Sequence, residues 1–131
     1  MEDCIFCKLV KGKIPCNKVG ESENFISFLD LHPKNKGHIL IISKEHYPDL
    51  RWLPEGLGNE LIHFSKELLK KVSKATSASD FKFLINSGEK AGQVIFHAHF
   101  HLIPYYKTGI ASHPQLSDKE TARLAEAIRD Q

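Results

Sequence analysis

The most regular alternation of apolar and polar positions lies near the end of the chain. There His97, His99 and His101 interleave with Phe96, Ala98, Phe100 and Leu102. In a strand, side chains at i, i+2 and i+4 share a face. A strand over Val94–Pro104 should therefore project the three imidazoles from one face, roughly 7 Å apart in succession. Phe96, Ala98, Phe100 and Leu102 should point the other way, into a core. Upstream, residues 4–12 read as a short helical turn or loop. Asn24–Asp30 and His38–Ser43 are rich in β-forming residues. The turn Leu31–Gly37, punctuated by Pro33 and Gly37, makes them an antiparallel pair. Pro54-Glu55 opens a long helix, with Leu57, Leu61, Phe64, Leu68 and Val72 on its inner stripe and Lys66, Lys70 and Lys71 outside. Phe81–Asn86 is a further strand, and Ser87–Gln93 a polar loop with two glycines. Ser117-x-x-Glu120 is a capping box ahead of Leu124, Ala125 and Ile128. The predicted class is α+β: an antiparallel sheet of about five strands with one long helix and a C-terminal helix.

Composition narrows the setting. A chain of 131 residues, 41% hydrophobic and 26% charged, suits one globular domain with a real core. A formal net charge of +2 gives no reason to expect binding to nucleic acid or a membrane surface. No apolar run approaches the roughly 18 residues of a membrane span. The acidic start Met1-Glu2-Asp3-Cys4 is unlike a signal peptide, so a cytoplasmic location is expected. In that reducing setting Cys4, Cys7 and Cys16 do not suggest a disulfide framework. A redox pair would need a strand before Cys4, so metal binding is the better reading of Cys4-x-x-Cys7.

Two sites can be drawn from these residues. A tetrahedral zinc held by Cys4 and Cys7 needs two more ligands, for which His46 and His97 are the best placed. Such a site would tie the N-terminus to the sheet and act structurally. The second site centres on His99. A histidine attacking phosphorus needs a free ring nitrogen, a group fixing the other nitrogen, and donors for the phosphate oxygens. His38 and His101 can supply neighbouring imidazoles. The loop 87–93 can offer backbone N–H groups, and Asp30 can accept from ribose hydroxyls. Taken singly, each of these is more often structural, and a lone Asp ending a strand is usually a turn residue. A competing chemistry would place a catalytic zinc on His97, His99 and His101. Positions i and i+4 of one strand are about 13 Å apart, which opposes it.

Together these residues resemble the histidine triad (HIT) family. Its signature, His-φ-His-φ-His-φ-φ with φ apolar, is met by His97-Ala98-His99-Phe100-His101-Leu102-Ile103. Cys4-Ile5-Phe6-Cys7-Lys8 with Gly12 and Ile14-Pro15 resembles the family's N-terminal segment. Phe28-Leu29-Asp30, Pro33, and Gly37-His38 through Lys44-Glu45-His46 resemble its central hairpin, and Asn86 with Gly92-Gln93 its approach to the triad. The resemblance covers roughly residues 3–106 and implies a single HIT domain over 1–131, with 107–131 as a C-terminal extension.

The resemblance also implies a nucleotide hydrolase or transferase acting at an α-phosphate, usually of AMP or a related purine nucleotide. His99 would be the nucleophile of a nucleotidyl-histidine intermediate. His101 would contact the phosphate or leaving group, and His38 would stand beside it. Asp30 would bind ribose, Leu31 would line the base pocket, and Asn86 and Gln93 would hold ribose and phosphate. Cys4, Cys7, His46 and His97 would bind structural Zn2+, and two copies would pair through the long helix and the strand beside it. Two departures bear on substrate choice. Val94 stands where many phosphoramidase members have Ser, leaving only a backbone N–H for the phosphate. The only Trp is Trp52, whereas animal-type members carry one near the C-terminus. The Cys-x-x-Cys and helical tail are more similar to the bacterial, archaeal or protist branch. Expected activities are hydrolysis of adenosine 5'-phosphoramidates or, alternatively, of dinucleoside polyphosphates. A zinc-stabilised nucleotide- or partner-binding module with little turnover is the third reading.

Overall fold

The computed structural model describes residues 3–109 and 115–131; residues 1–2 and 110–114 lie outside it. Chain order is α1 (Ile5–Val10), β1 (Lys18–Glu21), β2 (Phe25–Leu29), β3 (Ile39–Ser43), α2 (Gly58–Thr76), β4 (Asp80–Leu84), β5 (His99–Tyr105) and α3 (Asp118–Arg129). The five strands form one antiparallel sheet in the order β1-β2-β3-β5-β4. This is the predicted α+β class. Among the described residues, no helix is long and apolar enough to cross a membrane.

Pairing register assigns the two faces. Phe100 lies opposite Ile41 and Leu102 opposite Ile39, while His99 lies opposite Ile42 and His101 opposite Leu40. Directly paired residues share a face. The first face carries the main core, in which Phe25, Ile39, Ile41, Phe100 and Leu102 meet Leu61, Phe64, Leu68 and Val72 of α2 and Ala125 and Ile128 of α3. The second face is covered by α1, whose Phe6 and Leu9 pack on Ile26, Phe28, Leu40 and Ile42. His99 and His101 belong to this smaller layer.

Three boundaries differ from the sequence reading. The α-helix starts at Gly58, because Glu55–Leu57 form a tighter 3-10 turn first. β1 was not anticipated. It is four residues long, only Val19 is buried in it, and Gly20 interrupts its β-forming character. That glycine is required by packing: a Cβ there would stand 3.3 Å from the Leu68 and Phe64 side chains and 3.2 Å from Ser27 Oγ. The predicted strand over 94–104 begins only at His99. β3 ends at Ser43, so residues before His99 have no ladder to join. The Ala98 N–H bonds instead to the Tyr47 carbonyl at 2.6 Å. Phe96 is consequently 51% exposed rather than in the core.

The C-terminal helix is capped by Ser117, whose side chain accepts from the Glu120 N–H while the Glu120 side chain accepts from the Ser117 N–H. It contributes to the main core through Ile128, which is fully buried. Ile128→Ala should therefore cost about 2–5 kcal/mol of folding stability, as for other buried aliphatic truncations. A urea titration showing a change under about 0.5 kcal/mol would mean that α3 is not part of the cooperative unit.

Candidate active site and metal cluster

The three histidines of the alternating run go to three different partners. His97, just before β5, donates Nε2–H to the Ser43 carbonyl at 2.7 Å. A neutral imidazole has one N–H, so Nδ1 presents a lone pair. That nitrogen lies 3.3 Å from Cys4 Sγ, 3.6 Å from Cys7 Sγ and 3.1 Å from His46 Nδ1. His46 Nδ1 is in turn 3.3 Å from Cys7 Sγ. All four candidate ligand atoms lie within 4.8 Å of one another. A tetrahedral zinc with bonds of about 2.0–2.3 Å has edges of roughly 3.3–3.8 Å, so the spacing and the Cys2His2 donor set fit that ion. The Ser43 carbonyl is the outer partner that metal-bound imidazoles characteristically have. Burial lowers the His97 pKa to about 4 and also lowers that of His46, keeping both rings neutral as ligands must be. Burial and the neighbouring Cys4 raise the Cys7 thiol in the absence of an ion. Cys4 also caps α1 by accepting from the Cys7 N–H at 3.3 Å.

His99 is oriented by the backbone of the same segment. Its Nδ1–H donates to the His97 carbonyl at 2.7 Å, which leaves Nε2 as a bare lone pair. Burial lowers its pKa, so the lone pair stays available near neutral pH.

His101 belongs to a third arrangement. The Lys34 N–H donates to His38 Nδ1 at 3.0 Å, so the proton of neutral His38 sits on Nε2. Nε2–H donates to His101 Nδ1 at 3.0 Å, which in turn places the His101 proton on its own Nε2. Asp30 Oδ2 lies 3.6 Å from His38 Nε2. Asp30, His38 and His101 are close enough to hold an ion, but the Lys34 bond commits the His38 proton to Nε2 and favours a hydrogen-bond chain. Three separate partners also leave no common focus for a catalytic zinc on His97, His99 and His101.

The remaining predicted residues are divided. Asp30 accepts the His32 N–H on Oδ1 at 2.9 Å, a turn bond, and keeps Oδ2 towards His38. Leu31 is 59% exposed and borders an apolar cavity of about 540 Å³ on the α1 side of the sheet. Ile5, Phe6, Leu9, Phe28 and Ile95 form its walls, and Asp30 lies at its edge. Asn86 is half-buried after β4, with no hydrogen-bond partner among the described residues, so its amide is open to a ligand. Gln93 departs from expectation. Its Nε2 donates to the Pro48 and Ile95 carbonyls at 2.6 and 3.0 Å, and its Oε1 accepts the Gly88 N–H at 2.7 Å. With every amide group committed, the side chain braces the loop instead of reaching a ligand. The Val94 side chain is 83% exposed and contributes no polar group.

Sequence reasoning missed Phe6, whose ring stands edge-on to His99 at 5.2 Å and to His97 at 5.8 Å. Its place between the two cysteines was the available signal. It also missed the Ser43 carbonyl and the Lys34 N–H, which are backbone groups with no side-chain signature.

The fold and these clusters define an α+β protein with a poised imidazole beside an apolar cavity and a Cys2His2 group. Comparison with known proteins agrees with that class. The family described as HIT domain matches residues 11–108. The chain is 40% identical over 131 residues to the adenosine 5'-monophosphoramidase hnt1 of Schizosaccharomyces pombe, covering 95% of each. It is 36% identical over 134 residues to the adenylylsulfatase HINT3 of Arabidopsis thaliana, covering 97% of this chain and 68% of that one. A zinc-bound histidine triad family protein from Mycobacterium smegmatis superposes with a TM-score of 0.88 at 28% identity, covering 98% of this chain and 92% of that one. The chain belongs to the HIT domain family.

The histidine chain makes stability depend on pH. Burial first, then the neighbouring His99 and His38, hold His101 down to about 4, against 6.5 for the free side chain. Between those values the unfolded chain binds the proton and the folded chain does not, so stability falls as pH drops through the window. His101 should account for on the order of 2 kcal/mol between pH 7 and pH 4. Urea titrations of wild type and His101→Gln across that range test this: an identical pH slope in both would contradict it.

Proposed function

We propose that this chain hydrolyses AMP conjugates at the α-phosphate, with adenosine 5'-phosphoramidates as the leading substrate class. The observation that carries the reading is the bare Nε2 of His99. It is fixed by the Nδ1–H bond to the His97 carbonyl and flanked by the proton-bearing His101–His38 chain. In this reading the nucleoside occupies the apolar cavity and Asp30 accepts from the ribose. His99 Nε2 attacks phosphorus, a P–N bond forms, and the bond to the leaving amine breaks. His101 Nε2–H donates to the phosphate group as charge develops on it. Water then cleaves the P–N bond, so that overall it supplies hydroxide to phosphorus and a proton to the amine. The activities named for the fission-yeast and plant relatives support this class of reaction.

The same reading gives Cys4, Cys7, His46 and His97 a structural zinc. When bound, it clamps α1 and the loop after β3 to the start of β5. It also includes a homodimer through α2 and β4. The sheet ends at β4, an unpaired edge of the kind that proteins cover or pair. Exposed Phe83 of that strand stacks on Phe100 at 5.4 Å, and Ile62 of α2 is also exposed.

AMP release from an AMP–amine phosphoramidate, followed by chromatography, tests the chemistry. His99→Ala should lower the rate by at least about a thousandfold, because the nucleophile and its orientation are lost together. An unchanged rate would remove His99 from that role. Wild type that binds AMP but turns over no conjugate would be a binding module instead.

Cys4→Ser with Cys7→Ser should abolish zinc retention in metal analysis and lower the thermal midpoint by roughly 10 °C or more. The folded fraction of this variant should still release AMP. Zinc kept at one per chain would overturn the ligand set, and fast loss of activity with the fold intact would favour a catalytic metal.

A further inference from the structure

The nucleoside cavity contains one polar side chain from outside the segment that matches the family. Asp118, the first residue of α3, lines it together with Asn17, Asp30 and His32 among otherwise mainly apolar walls. The family match ends at residue 108. The helix does not use this carboxylate as a cap: Ser117 caps the end and Glu120 closes the capping box. Among the described residues, the Asp118 side chain has no hydrogen-bond or ion-pair partner. The residue is exposed and stands at the mouth of the cavity. The Gln115 amide donates to the Leu31 carbonyl at 3.0 Å, which ties the start of α3 to the cavity rim. Thr121 and Leu124 border a small cleft with Asp30, Gly37 and His38, one turn further along the helix.

We propose that Asp118 is the base-reading residue of this cavity and favours adenine over a purine that lacks the 6-amino group. The inference rests on the nucleotide-binding reading above and adds the base to it. Apolar walls stack any purine about equally, so they discriminate little. An ionised carboxylate is acceptor-only. It accepts from the 6-amino donor of adenine and gains nothing from an unsubstituted purine, which has no donor on that edge. Hydrogen bonds to charged acceptors are the stronger kind, so a base that brings the donor gains over one that lacks it. The C-terminal extension is thus more than a brace for the main core, because it brings a specificity group to the substrate.

The test is calorimetric titration of AMP and of purine riboside 5'-monophosphate, which differs only in lacking the amine. Wild type should bind AMP about tenfold more tightly, the effect of one hydrogen bond to a charged acceptor. In Asp118→Ala the two ligands should come within about twofold of each other, mainly through weaker AMP binding. Asp118→Asn keeps an oxygen acceptor and should recover part of the preference, separating base reading from any disturbance of α3. An AMP preference unchanged in Asp118→Ala, or absent in wild type, would overturn the assignment while leaving the nucleotide site standing. Wild type that binds neither ligand would overturn both.

Discussion

The His97 residue holds the two halves of the site together. Its Nε2–H is anchored on the Ser43 carbonyl, its Nδ1 faces the thiols and His46, and its own carbonyl takes the Nδ1–H of His99. One buried residue therefore joins the Cys2His2 group to the poised imidazole through a single peptide unit. Phe6 adds a second link, with its ring edge against both His97 and His99. Because it lies between Cys4 and Cys7, the cluster that positions the cysteines also positions this wall of the cavity. A buried imidazole with both nitrogens committed cannot rotate without leaving a polar group unsatisfied. His99, held by the His97 carbonyl, inherits that rigidity.

The sheet explains why so small a chain can do this. One face is given to α2 and α3 and carries most of the core, so the opposite face can hold polar groups. Strict alternation along β5 puts Phe100 and Leu102 on the first face and His99 and His101 on the second. Burial then works in favour of the chemistry: it disfavours imidazolium and keeps His38, His99 and His101 neutral. The His101–His38 chain is ordered by one backbone donor, the Lys34 N–H, in the turn that ends with Gly37. That glycine has φ +88°, and a Cβ there would stand 3.1 Å from Pro104. The turn can therefore close tightly against β5 just before His38.

Much of this was legible in the residues. The spacing of Cys4 and Cys7 and the positions of His46 and His97 pointed to one cluster, and the fold brings those four groups together. The alternation of His99 and His101 with Phe100 and Leu102 was read on the correct faces. The extension of that strand back to Val94 was not, because period-two patterning continues through residues that have no partner strand. Gln93 illustrates a different failure. A polar side chain near a site looks like a ligand contact in sequence, yet its amide is spent on the carbonyls of Pro48 and Ile95 and the N–H of Gly88.

What the sequence determined by itself is the class of element and the chemical inventory. Hydrophobic period sets strand against helix, and the run of imidazoles and the thiol pair set what chemistry is available. Only the tertiary structure decided which proton sits on which nitrogen, because those assignments come from the Ser43 and His97 carbonyls and the Lys34 N–H, and every residue type offers the same backbone groups. It also brought α3 to the cavity. Asp118 is an ordinary first-turn acid in the sequence, and its place beside Asn17 and Asp30 follows from how the tail packs on the sheet's core face.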